Sequence, residues 1–243
     1  MPSPSRPPRP RGRRTPARGA GRPTAVESAQ RAADLLDTAA AVFSEKGYEQ
    51  ATVGEIARRA SASKQTIYSR FPTKGDLFTA VMTRRSEAGF SRVTDLVQST
   101  EPIQQVLTGY AVELLVPFVH QETLRMLRTI IGAAEAFPDV GRSFWDIGPV
   151  RAHRMLAELL RDRMAKGELR EHDPDAASHL FLAMCSGRYW YRTLVDIRPR
   201  VTPADTRAYA GDVVRAFLAI YGPDTTEALD AVPGSSRRSG GQP

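Results

Sequence analysis

The 243 residues contain one cysteine and four histidines, and each scarcity removes a class of protein. A lone Cys185 excludes an internal disulfide framework and suits a reducing compartment, so a cytoplasmic location is expected. His120, His153, His172 and His179 are scattered, with no cysteine at ligand spacing, so neither a metal nor another cofactor is expected. There is no Gly-rich phosphate loop, no nucleophile elbow and no His-Glu-x-x-His pair, which argues against an enzyme. No run nears the roughly 18 apolar residues of a membrane span. The N-terminus lacks the apolar core of a secretory signal. No stretch alternates with period two for long enough to argue a sheet, so an all-α fold is expected.

Positive charge is in excess but unevenly placed. Of the net +7, residues 1–24 supply seven Arg and no acid, whereas residues 86–223 hold sixteen bases and seventeen acids. The basic pI therefore says little about the folded part. Residues 1–24 are rich in Pro, Arg, Gly and Ser and are expected to form a disordered basic arm. Within it, Arg9-Pro10-Arg11-Gly12-Arg13-Arg14 is similar to the Arg-Gly-Arg core of AT-hook peptides, which would lay Arg11 and Arg13 into a narrow minor groove. The alternative is a nonspecific polybasic arm, because Arg14 stands where such peptides carry Pro. Either form adds phosphate-driven affinity.

The most informative stretch runs from Thr52 to Lys74. Val53, Ile56, Ala57 and Ala60 fall at i, i+3, i+4 and i+7, one apolar stripe at helical spacing. Thr52 precedes it as an N-cap, with Glu55 placed for a capping box. Ser61-Ala62 breaks the pattern, and Ser63 can cap a second helix whose Ile67 and Phe71 point back onto the first. Pro72 ends that helix, and Thr73 offers the next cap. Left on its outer face are Lys64, Gln65, Thr66, Tyr68, Ser69 and Arg70, side chains that hydrogen-bond base edges and phosphates. The alternative to a helix-turn-helix is an ordinary helical hairpin with a solvated face.

The span Ala32 to Met82 resembles the DNA-binding domain of the tetracycline-repressor (TetR) family of bacterial transcriptional regulators. The resemblance rests on Ala39-Ala40-Ala41-Val42-Phe43, Lys46-Gly47-Tyr48, Thr52-Val53 and Glu55-Ile56-Ala57. It continues through Ser63-Lys64, Thr66-Ile67-Tyr68, Phe71-Pro72 and Lys74-Gly75-Asp76-Leu77-Phe78. Family members commonly have Gly-Val at Ser61-Ala62 and Gly at Gln65. A slightly strained turn at Ser61 is therefore expected, and a base-reading amide at Gln65. Lys64 suits guanine and Gln65 adenine; Thr52, Thr66, Tyr68 and Lys74 are expected to hold phosphates, and Ser63, Ser69 and Arg70 complete the DNA-binding set.

Residues 25–82 are expected to form a three-helix DNA-binding domain, with its first helix over 28–46. A larger helical ligand-binding and dimerisation domain is expected over 83–223, and a disordered tail over 224–243. A fourth helix should run from Lys74 into the mid-nineties. Further helices are expected at 102–118, 121–136, 140–147, 150–167, 174–195 and 203–221, with breaks at Gly148-Pro149 and Asp173-Pro174. The second half looks more loosely like a TetR regulatory domain, which implies an inducer pocket and a homodimer. Met126, Phe144, Trp145, His153, Met184, Tyr189 and Trp190 are the ligand-binding candidates, although a plain core is the alternative for each. In the family the last two helices pair across a two-fold axis, which implies an interface from Leu180, Met184, Tyr191, Val213, Phe217 and Tyr221. The expected partners are a double-stranded DNA operator, a small, largely apolar inducer and a second copy of the chain, with no membrane. The leading function is a ligand-released repressor; an architectural DNA-binding protein without an inducer is the alternative.

Overall fold

The structure, a computed structural model, describes residues 24–195 and 202–223. Arg11, Arg13 and the rest of the expected arm up to Pro23 lie outside them, as does the tail expected over 224–243.

Helix α1 (Ala25–Gln50) begins three residues earlier than the apolar pattern announces. Thr24 caps it, accepting from the Glu27 N–H at 3.2 Å while Glu27 accepts from the Thr24 N–H at 2.9 Å. The chain leaves helical geometry at Gly47, φ 77° and ψ 171°, a conformation that favours a residue without Cβ. Helices α2 (Val53–Arg59) and α3 (Lys64–Tyr68) follow. The capping box expected at α2 is half made: Thr52 accepts from the Glu55 N–H, but the Glu55 carboxylate turns to Lys46 and Arg59. Those two cations, Lys46 foremost, hold its pKa below the ordinary glutamate value.

Helix α4 (Lys74–Val97) starts on a complete Thr73–Asp76 capping box and is the axis of the molecule. Ion pairs tie it on four sides: Arg84 to Asp37 of α1 and Arg85 to Glu122 of α6 (Gln121–Ala133). Arg92 reaches Glu113 of α5 (Ile103–Leu115), and Glu87 pairs with Arg151 of α8 (Arg151–Ala165). The border expected between residues 82 and 83 falls inside this helix.

Helix α7 (Pro138–Trp145) does not stop at Gly148-Pro149 as expected. It runs into α8 through a π-helical turn at Asp146–Val150, whose wider winding accommodates a proline with no N–H to give. Helices α9 (Pro174–Leu194) and α10 (Pro203–Tyr221) complete the body. Among the described residues there is no strand, and no helix is long and apolar enough to cross a membrane.

Two apolar cores result. One joins α5, α8, α9 and α10 around Leu107, Tyr110, Leu156, Leu160, Phe181 and Phe217. The other belongs to α1–α4, yet it is completed by Met126, Ile130 and Ala133 of α6 and Val140 of α7.

Candidate nucleic-acid interface

Helix α3 has five residues and would not persist alone. Ile67, fully buried, anchors it to α2. Ser63 caps it, accepting from the Thr66 N–H at 3.0 Å. The turn before it is a Schellman arrangement: the Ala62 N–H donates to the Ala57 carbonyl at 2.9 Å and the Ser61 N–H to that of Arg58 at 3.4 Å. Such a motif places its pivot residue in the left-handed region, and Ser61 stands there with φ 51°. It is the one non-glycine residue at positive φ among those described, so the strain expected of this turn is present.

With Ile67 inward, Lys64, Gln65, Thr66, Tyr68, Ser69 and Arg70 are all exposed around α3. Their neighbourhoods differ. Thr66 shares a 2.7 Å hydroxyl bond with Ser63, and the Ser69 hydroxyl donates to the Thr66 carbonyl at 2.9 Å. Arg70 lies over the Phe71 ring at 5.9 Å. The Lys64 side chain folds back across α2: a Cβ on Gly54 would stand 2.8 Å from its Cε and 3.2 Å from its Nζ.

Lys74 departs from its expected phosphate role. Its ammonium donates to the carbonyls of Tyr48 at 2.9 Å, Glu49 at 3.2 Å and Ala51 at 3.3 Å, closing the end of α1 that Gly47 opens. It also lies 4.5 Å from the centre of the Tyr48 ring. All three of its donors are engaged, and burial holds its pKa below the ordinary lysine value against the pull of Glu49.

The seven ligand-binding candidates do not converge. Met126 belongs to the core of α1–α4, and Phe144 packs between the two cores. Trp145 is 58% exposed on α7. His153 joins α8 to α9, bonding Ser178 at 2.5 Å and lying tilted against the His179 ring, centres 3.7 Å apart; burial and then the His179 ring depress its pKa, while Asp175 raises it. Tyr189 and Trp190 gather around Phe118, ring centres 6.2 and 6.4 Å away, with Met184 against the same core. A groove of about 580 Å³ between α4, α5 and Arg207 is lined by none of the seven.

Five of the six interface candidates divide in two, and the sixth, Met184, is half-buried against the core of α5, α8, α9 and α10. Leu180 and Tyr191 are exposed, 38% and 76%. Phe217 and Val213 are not available to a partner: Phe217 is fully buried, edge-on to Phe181 at 5.1 Å. Tyr221 packs on Phe217 at 4.6 Å and on His172 at 4.9 Å. These residues face inward because α10 docks on α5 and α9, leaving Ala208, Ala216, Ala219 and Ile220 outside.

Nothing in the α3 spacing marks Gly54 or Phe137 as part of the site. A glycine inside a seven-residue helix is the available signal for Gly54. Phe137 is brought to Tyr48, 4.9 Å between ring centres, only by the fold.

A short outward-facing helix anchored through a left-handed turn, mounted on a helical body, defines a helix-turn-helix transcriptional regulator. The chain belongs to the TetR family: residues 35–81 match bacterial regulatory proteins of the tetR family, and residues 105–223 match the C-terminal domain of AefR-like transcriptional repressors. It is 34% identical over 113 residues to the HTH-type transcriptional activator FasR of Mycolicibacterium smegmatis, 46% of this chain and 51% of FasR. The chain thus spans about half the length of that relative. A TetR-family regulator from Mesorhizobium loti is 28% identical with a TM-score of 0.71, over 80% of this chain and 98% of that one. The flavonoid-responsive regulator FrrA shares the fold at 23% identity and a TM-score of 0.66, over 81% of this chain and 100% of that one.

Proposed function

We propose that the protein is a homodimeric repressor that binds a palindromic operator through α3 and leaves it when a small, largely apolar ligand binds the body. The observation that carries the reading is α3 itself, with one buried anchor and every other side chain open to solvent. Two such helices in a dimer would enter successive major grooves roughly 34–36 Å apart. Gln65 is the base reader, its amide matching adenine N6 and N7. Thr52, Ser63, Thr66, Tyr68, Ser69 and Arg70 hold phosphates, and the arm with Arg11 and Arg13 adds sequence-independent attraction.

The ligand reading is supported by the nearly neutral residues 86–223 and by the aromatic group of Phe118, Tyr189 and Trp190 beside Met184. An unpaired charge would be costly there. A tenfold loss of operator affinity requires only about 1.4 kcal/mol of ligand preference for the DNA-free geometry.

Selection of bound duplexes from a random pool tests the reading, with a palindrome as the expected product. On that duplex, Gln65→Ala should lose about 1–3 kcal/mol, relaxing preference at one position of each half-site. A flat, sequence-independent footprint would instead point to an architectural protein, and uniform loss from Gln65→Ala would remove its reading role.

A further inference from the structure

We infer that Gly54 is a positioning residue for Lys64, holding that ammonium over α2 so that it serves DNA phosphate and not a base edge; this rests on the reading of α3 as the DNA-facing helix. From its exposed place at the start of α3, a lysine could equally extend outward to guanine, as its spacing suggests. Here the stem instead lies across the neighbouring helix. A Cβ built on Gly54 would meet Lys64 Cε at 2.8 Å and Nζ at 3.2 Å, and would sit 3.9 Å from Thr52 Oγ1. A separation of 2.8 Å is closer than a real Cβ tolerates, so any side chain at 54 must move the end of Lys64.

The choice of residue strengthens the argument. Glycine weakens a helix relative to alanine, and α2 has only seven residues. No left-handed backbone calls for it, since φ at Gly54 is not among the positive values. What the missing Cβ makes room for is the Lys64 side chain. The ammonium is thereby held beside Gly54 in the first turn of α2, and the first helix of a helix-turn-helix is the one that crosses the phosphate backbone. A compact, strongly hydrated point charge suits that contact, whereas planar bidentate reading does not require it.

Stability and DNA affinity are therefore expected to part company. In the full chain, Gly54→Ala should melt at the same temperature or higher, because only a flexible side-chain end is displaced and a better helix former is gained. Its affinity for the pool-selected duplex should nevertheless fall, by the same factor on every member of a panel with single base pairs replaced. Lys64→Ala and Lys64→Met should give that uniform loss too, each lowering the slope of log K against log salt by about 0.9 for every Lys64 engaged. The double variant Gly54→Ala/Lys64→Ala should bind like Lys64→Ala alone, since the glycine acts through the lysine. Additive losses, or unchanged binding by Gly54→Ala, would overturn the inference. So would a Lys64→Ala loss confined to one base-pair position. If the Lys64 variants bind every duplex as the parent does while Gln65→Ala does not, this inference fails and the reading of α3 stands. If none of these variants changes binding, the reading of α3 fails as well.

Discussion

Ser61 carries a conformational burden that its neighbours cannot relieve. The Schellman closure of α2 needs a left-handed residue there, and an L side chain at φ 51° has its Cβ near the following carbonyl oxygen. Ser61→Gly should raise stability by about 0.5–1 kcal/mol, with DNA affinity unchanged, because the turn's hydrogen bonds are retained. A lower melting temperature would mean that the Ser61 side chain itself supports the turn. Lys74 presents the opposite case, a charged side chain that looks free in sequence and is fully occupied in the fold. Lys74→Met keeps the stem against Tyr48 but leaves three carbonyls without their donor. A loss of about 1–3 kcal/mol is expected on thermal or chemical unfolding. The salt slope of DNA binding should stay where it was, and a slope lowered by about 0.9 per subunit would restore the phosphate role.

At the scale of helices, α7 connects the body to the DNA-facing end. Its first turn brings Phe137 edge-on to Tyr48, which in turn stands edge-on to Phe78 at 5.1 Å and stacks on Phe43 at 5.9 Å. The Lys74 ammonium lies 5.8 Å from the Phe137 ring, and Thr79 of α4 bonds Ser143 of α7 at 3.1 Å. Phe137→Ala removes one wall of this group. Because the ring is half-buried, the expected loss is about 1–3 kcal/mol, below that of a fully buried phenylalanine. Amide exchange should quicken over α1–α4 more than over α8 and α9; uniform quickening would mean that the two cores open as one.

Most helix limits were legible because their punctuation is local: Thr52, Ser63 and Thr73 cap, and Pro174 opens a helix, whereas the Thr24 cap of α1 precedes the apolar pattern and was not read from it. Pro149 misled because a wide turn can absorb a proline without ending the run. Glu55 misled because cations from other turns outbid its own N-cap. Within the site, the direction of the α3 face followed from Ile67, but the paths of Lys64 and Lys74 did not. A long cationic stem points wherever the fold offers a surface or an acceptor, and neither Gly54 nor the Tyr48 carbonyl is adjacent in sequence.

For the whole molecule, the question is which side of α9 and α10 a second copy would cover. Both helices are apolar on two sides, so periodicity alone could not say which side faces the protein's own core. The structure turns Phe181, Cys185 and Tyr189 of α9 inward, together with Val213, Val214 and Phe217 of α10. What remains outside on α9 is a stripe at helical spacing, Ala176, Leu180, Ala183, Gly187 and Tyr191, small at its centre and therefore able to let two helices approach closely. The proposed dimer is built on that stripe and on Ala216, Ala219 and Ile220 of α10, not on Val213 or Phe217. Ala183→Glu tests this without disturbing the body, since the side chain points to solvent in the single chain. The variant should keep its helicity and melt in a single transition, yet sediment as a monomer where the parent is expected to sediment as a dimer, because a charge at the centre of an apolar contact has no partner there. Its affinity for the palindrome should fall to that for an isolated half-site, the second α3 no longer being tethered to the first. A variant that still sediments as a dimer would move the interface to another face. A monomer that binds the palindrome undiminished would show that one α3 with its arm suffices, and the two-fold reading of the operator would be lost.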